Sequence, residues 1–203
     1  IYPVQAVQPM AEDSLLTGPL EATNQWYAIA KITGIKLCQA LRKQFGANFI
    51  AAMPTNLYGP HDNYHPTESH VVAALIRRFH QAKLENHDDL VIWGSGKPLR
   101  EFLYVDDLAD GLVHLLKHYN DEQPINIGTG QEVSIQQLAE MLKDVSGWQG
   151  NLVFDVTKPD GAPRKVMQND RIHALGWQHK TELLNGLEKA FAWFDENQRA
   201  ARL

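Results

Sequence analysis

The sequence predicts an α/β fold, the carboxyl-terminal part of a doubly wound parallel sheet interleaved with a smaller α/β lobe. Three observations point there. An apolar helical run follows Asn24-Gln25-Trp26-Tyr27-Ala28-Ile29-Ala30-Lys31 and closes at Gly46. A short apolar strand, Asn48–Met53, comes next and leads into a polar turn, Pro54-Thr55-Asn56-Leu57-Tyr58-Gly59-Pro60. A second short apolar strand, Pro124-Ile125-Asn126-Ile127-Gly128, reads as the last of the parallel sheet. Helix, strand and then a polar loop at the strand's carboxyl end is where such sheets hold their ligands.

The helix carries the first candidate chemistry. Tyr27 and Lys31 are four residues apart and so share one helix face. An ammonium beside a phenol favours the phenolate, lowering the Tyr pKa from about 10 towards the range where it exchanges a proton with a carbonyl oxygen. That spacing also arises by chance in many helices, and it is the following strand and loop that give it weight. Cys38, in the same helix, reads as a buried inert thiol.

Before this helix, Met10 to Thr23 reads as a polar loop broken by Gly18 and Pro19. After the Pro54–Pro60 turn come His61, His65 and His70, where no closely placed Cys or carboxylate completes a ligand set, so no metal is expected. Ser69 or Thr67 is placed to cap a helix running to about Leu84, with Val71, Val72, Ala74, Leu75 and Phe79 on its apolar face. Arg77 and Arg78 lie on this helix, where arginines are ordinarily solvated. Asp88–Trp93 and Arg100–Tyr104 read as two strands of a hairpin about Gly94-Ser95-Gly96. Asp106 and Asp107 suit the positive end of the next helix dipole better than a catalytic pair. Ser134 with Gln137 makes a capping box for a helix that Gly147 ends. Asn151–Val156 reads as a strand and Lys158–Lys165 as a basic, turn-rich loop. The last helix, Thr181 to about Asn197, repeats Leu183, Leu184, Leu187, Ala190, Phe191 and Phe194 at core-packing spacing.

Composition bounds the function. A chain of 203 residues with 44% hydrophobic content can bury a sizeable core. No apolar run approaches the roughly 18 residues of a membrane span, so no membrane partner is expected. One cysteine excludes an intrachain disulfide and suits the reducing cytoplasm. Nineteen basic against twenty-four acidic residues give a net charge of −5, which argues against nucleic-acid binding. An anionic substrate therefore needs a local basic site.

Taken together, Tyr27 with Lys31, Pro54–Pro60 and Arg100-Glu101-Phe102-Leu103-Tyr104-Val105-Asp106-Asp107 resemble the extended short-chain dehydrogenase/reductases that act on nucleotide sugars, a Rossmann-like family. Tyr27-Ala28-Ile29-Ala30-Lys31-Ile32 and the run from Met53 to Pro66 are similar in particular to the GDP-L-fucose synthases. The resemblance extends from Ile1 to about Gln198. It implies an NADPH-dependent 3,5-epimerase and 4-reductase of GDP-4-keto-6-deoxy-D-mannose. Tyr27 would be the acid at the 4-oxygen, with Lys31 lowering its pKa and holding the nicotinamide ribose. His70 would be half of the epimerisation pair, since imidazole titrates near neutrality. Its partner, a Cys, would lie just upstream of Ile1 with a catalytic Ser. Pro54, Thr55, Asn56 and Leu57 would line the nicotinamide end of the cofactor site together with Tyr27, Lys31 and His70. Asn56, Arg78, Trp93, Arg100, Asp160 and Lys165 would contact the GDP-sugar, with the Arg100 guanidinium on the diphosphate.

The same resemblance implies a homodimer formed through the helix carrying Tyr27, a location in the cytoplasm, and two interleaved domains. Residues 1–66 and 101–130 would belong to dinucleotide binding, residues 67–100 and 131–203 to nucleotide-sugar binding. Gln25-Trp26 departs from the Glu-Pro expected before the Tyr and puts a bulky ring at the mouth of the site. A nucleotide-sugar 4-epimerase or 4,6-dehydratase would share Tyr27, Lys31 and Asp106-Asp107, but not the His61–His70 loop leading into Arg78. The chain opens on Ile1 and contains no G-x-x-G-x-x-G turn, so it reads as the carboxyl-terminal two-thirds of an enzyme. With two strands of the parallel sheet left, it should expose an apolar edge and need the amino-terminal half to act.

Overall fold

The computed structural model describes residues 1–198. The helical run is α1 (Gln25–Phe45), which buries Ala28, Ile32 and Ile35 along one stripe. Gly46 ends it in the left-handed region, φ 66°, and returns its N–H to the Arg42 carbonyl, a conformation that a Cβ disfavours. Cys38 is half-buried rather than buried.

After α1 come β1 (Ala52–Pro54), β2 (Asn56–Tyr58), α2 (Val71–Leu84), β3 (Asp89–Trp93), β4 (Leu99–Arg100), β5 (Phe102–Tyr104) and α3 (Val105–His118). The second half contains β6 (Ile125–Ile127), β7 (Val133–Ser134), α4 (Ile135–Ser146), β8 (Asn151–Asp155), β9 (Arg164–Lys165), α5 (Asp170–Ala174) and α6 (Leu183–Asn197). Four strand pairs are parallel: β1 with β6, β2 with β5, β3 with β8, and β4 with β9. Strand β4 lies between antiparallel β7 and parallel β9. Parallel partners need long crossovers, and α2, α3 and α4 lie within them. The α/β class and parallel pairing are those the sequence predicts.

Five local expectations are corrected. The first strand is shorter and later than Asn48–Met53, and the stretch expected to be a turn contains β2. Pro54 has no N–H for the ladder. The next residue, Thr55, donates to the Ile127 carbonyl at 3.1 Å, after which the chain passes from partner β6 to partner β5. The β2–β5 pair also means that more than two parallel strands are present. The hairpin is absent, because β3 pairs with β8 and the glycine turn leads into a different sheet. That turn is tied to other segments: Gln136 N–H donates to the Gly96 carbonyl at 2.9 Å, and Leu99 N–H to Pro163. Finally, His70 and not Ser69 or Thr67 stands at the N-cap of α2. Thr67 is occupied elsewhere, its N–H and hydroxyl both 3.3 Å from His65 Nδ1.

The Ser134–Gln137 capping box forms as predicted, and Gly147 ends α4 at φ 70°. Tyr58, Tyr64, Phe79, Leu138, Leu142 and Phe194 belong to a core among α2, α4 and α6. Leu103, Leu115, Ile125, Ile127, Ile172 and Trp177 form a second cluster, and Tyr2, Met10, Ile35 and Met53 a third. Asp107 acts as a structural tie, since its carboxylate accepts from Lys180 N and Thr181 N at 3.1 and 2.8 Å, joining α3 to the approach to α6. Among the described residues no helix is long and apolar enough to cross a membrane.

Candidate functional site

Tyr27 and Lys31 stand on the exposed side of α1, with Lys31 Nζ 5.4 Å from the Tyr27 ring centroid. Helical spacing produces this directly, since residues four apart lie one turn above each other. Tyr27 is 57% exposed and Trp26 beside it 76%, so the phenol and the ammonium both open outward. A phenol next to an ammonium can give a proton to an oxygen and hold hydroxyl groups.

The passage from the end of β1 into β2 forms a second part. Pro54 and Asn56 are exposed, Thr55 and Leu57 half-buried. The Thr55 hydroxyl and Asn56 Nδ2 both donate to the Glu101 carbonyl, at 3.3 and 2.9 Å. His70 is exposed at the head of α2. Nearby Asp62 is raised above the usual carboxylate range by burial, an effect opposed by its hydrogen bond from Asn63 N–H and by the charge of His70.

The remaining candidates gather around the ends of β3, β4 and β9. Arg78 reaches from α2 to donate to the Val91 carbonyl of β3, and burial lowers its pKa. Trp93, 68% exposed, ends β3 with Lys158 Nζ 5.5 Å from its ring centroid. Arg100 is half-buried on β4, in register with Lys165 on β9. Burial lowers the Arg100 pKa while Glu21 opposes that shift. Lys165 Nζ pairs with Glu21 at 3.1 Å. Arg100 and Lys165 are thus two cations in register on adjacent strands, with the Glu21 carboxylate acting on both. Asp160 is placed differently from a free ligand contact. Its two oxygens accept from Ser95 N and Ser95 Oγ, at 2.6 and 2.8 Å, and those bonds hold its pKa low.

The contacts thus join Tyr27 to Lys31 and the Thr55 and Asn56 side chains to the Glu101 carbonyl between β4 and β5, while Arg100 and Lys165 are in register on paired strands. Sequence reasoning missed Glu21 and Glu101. Glu101 is fully buried, and its only local signal is a charge set directly before the apolar run Phe102-Leu103-Tyr104. Gly128 packs against it so closely that a Cβ there would lie 2.9 Å from Glu101 Cδ. Among the described residues no three His, Cys, Asp or Glu side chains are placed to hold a metal ion.

Residues 1–128 match the NAD dependent epimerase/dehydratase family. A GDP-L-fucose synthase of Sinorhizobium fredii is 57% identical over 197 residues, covering 97% of this chain and 63% of the relative. The GDP-L-fucose synthase of Escherichia coli is 51% identical over 207 residues, covering 98% and 64%. Among solved structures, a GDP-L-fucose synthetase from Naegleria fowleri bound to NADP superposes with a TM-score of 0.93 at 34% identity, covering all of this chain and 65% of that one. The chain spans a little under two thirds of the length of these relatives.

Proposed function

The chain belongs to the NAD dependent epimerase/dehydratase family, and on that footing we propose that the protein is an NADPH-dependent 3,5-epimerase and 4-reductase that converts GDP-4-keto-6-deoxy-D-mannose to GDP-L-fucose. The observation that carries this reading is the Tyr27–Lys31 pair, stacked on an open helix face. The names of the relatives at 51% and 57% identity support the substrate, and the NADP-bound neighbour supports the cofactor.

The roles divide among the residues by their chemistry. Tyr27 gives its phenolic proton to the 4-oxygen as that oxygen gains negative charge, and the Lys31 ammonium stabilises the phenolate left behind. The exposed phenol and ammonium also fit ribose hydroxyls, and the stretch from Pro54 to Leu57 runs from the carboxyl end of β1 into β2, where a nicotinamide would meet them. NADPH supplies the hydride when bound. His70, exposed at the head of α2, exchanges protons at the carbons next to the ketone. Arg100, with Lys165 in register beside it, takes the diphosphate as a bidentate fork. Arg78 and Trp93 border the nucleotide, and Asn56 the sugar. Asp160 contributes by fixing the Ser95 turn under that surface.

Residues 1–66 with 101–130 and residues 67–100 with 131–203 are proposed as the cofactor and substrate domains. The protein is proposed to be a cytoplasmic homodimer that pairs through α1, whose exposed Trp26, Ile29 and Leu37 support such a contact. The test is NADPH oxidation by the full-length protein supplied with GDP-4-keto-6-deoxy-D-mannose. Tyr27→Phe, which removes the proton and keeps the ring, should lower the reduction rate by about 100-fold or more while GDP still binds. Reduction at the wild-type rate by that variant would end the proposal.

A further inference from the structure

Arg100 and Phe102 belong to different sheets, the first paired with β7 and β9 and the second with β2. Glu101 is the single residue at which the chain crosses between them. Its side chain is 0% exposed, and among the described residues it has no ion-pair partner. A buried carboxylate is tolerated only when hydrogen bonds replace its water. Here they come from three donors on two segments, one at Gly130 and one at Met167–Asn169. Oε1 accepts from Gly130 N–H at 2.7 Å and Asn169 Nδ2 at 3.2 Å, and Oε2 accepts from Met167 N–H at 2.8 Å. The Glu101 carbonyl meanwhile takes the Thr55 and Asn56 side chains. Asn169 depends on this carboxylate in turn. Among the described residues its Oδ1 is buried without a partner, so Nδ2, bonded to Glu101 and to the Met167 carbonyl, sets the amide.

We propose that Glu101 is a positioning residue for nucleotide-sugar binding: its carboxylate anchors Met167, two residues beyond Lys165, and thereby holds β9 against β4 so that Lys165 and Arg100 face one anion together. The inference rests on the reading that Arg100 takes the diphosphate. The mechanism is geometric. Strand β9 contains only Arg164 and Lys165, too few for the ladder alone to fix its register. The Glu101–Met167 bond supplies a further restraint just past its end. The carboxylate thus acts on the anion site through the backbone, without touching substrate.

A Gln at this position tests the idea sharply. Its amide keeps one acceptor oxygen, while its NH2 group must face a donor, either Met167 N–H or the Gly130 and Asn169 donors. In the full-length protein, Glu101→Gln should weaken GDP affinity about tenfold and raise the KM for the GDP-sugar to match, a change worth about 1.4 kcal/mol. The KM for NADPH should stay within about twofold, because the carbonyl that binds Asn56 is untouched. A purely structural role predicts something else: less folded enzyme, a lower maximal rate and unchanged KM values. Asn169→Ala removes only one of the three donors and should shift GDP affinity in the same direction by a smaller factor. It decides the matter alone if Glu101→Gln does not accumulate. Variants that bind GDP as tightly as wild type, or that raise both KM values equally, overturn the inference. Wild-type protein that binds no GDP overturns the underlying reading, and the inference falls with it.

Discussion

Gly186 shows two effects of one side chain in opposition. It lies inside α6, where glycine ordinarily costs about 1 kcal/mol relative to alanine. A Cβ there would, however, meet the ring of Tyr58, 2.8 Å from Cζ and closer still to the hydroxyl. Tyr58 is buried and donates to the Leu183 carbonyl at 3.3 Å, so it has little freedom to move aside. Overpacking of this kind costs about 1–3 kcal/mol, which matches or exceeds the propensity gain. Gly186→Ala should therefore lower or leave unchanged the midpoint of urea unfolding, and a clear rise would show that the Tyr58 pocket is looser than its contacts indicate. At this scale the sequence disclosed Tyr27 and Lys31, because a helix brings them together without outside help. It did not disclose Glu101 or Glu21, whose partners come from distant segments: Gly130, Met167 and Asn169 for the first, Lys165 for the second.

Among the elements, those with their own local ends were the legible ones. Helix α1 stops at Gly46, and α4 starts at a capping box and stops at Gly147. The box is reciprocal: Gln137 N–H donates to Ser134 Oγ at 3.1 Å, and Ser134 N–H to Gln137 Oε1 at 2.8 Å. Ser134→Ala removes one acceptor and should cost about 1 kcal/mol, read as a lower denaturant midpoint with the slope unchanged. Ser134→Asp should recover most of it, since a carboxylate also accepts from the first turn. The strands were less legible. Pairing is chosen by segments far along the chain, so Asp88–Trp93 was legible as a strand while its pairing with β8 was not. The short β2, read as turn, exists because Phe102–Tyr104 is there to meet it.

At the scale of the molecule, burial of tyrosines links stability to pH. Tyr2, Tyr58 and Tyr64 are each raised above the ordinary phenol value, chiefly by burial, with nearby acids adding to the shift. Their folded-state pKa exceeds the unfolded value of about 10, so the unfolded chain releases these protons first as pH rises. Stability is complete below about pH 10 and declines above it, by about 1.4 kcal/mol per pH unit for each such group. Unfolding midpoints measured from pH 8 to 11 should be flat and then fall. In Tyr64→Phe the fall should be shallower by about a third of the part these three groups contribute; an identical fall would mean that Tyr64 ionises freely in the native state. The α/β class was legible at this scale because alternating helices and strands leave few ways to bury both faces of a sheet.

The parallel pairs also determine how the fold is reached. Ala52 must find Ile125, Asn56 must find Phe102 and Asp89 must find Asn151. Each meeting closes a long loop before any ladder bond repays the lost chain entropy. Helices α1 and α4 need only their neighbours in sequence. The search by which these distant pairs of strands find one another is therefore the step expected to limit the rate of folding.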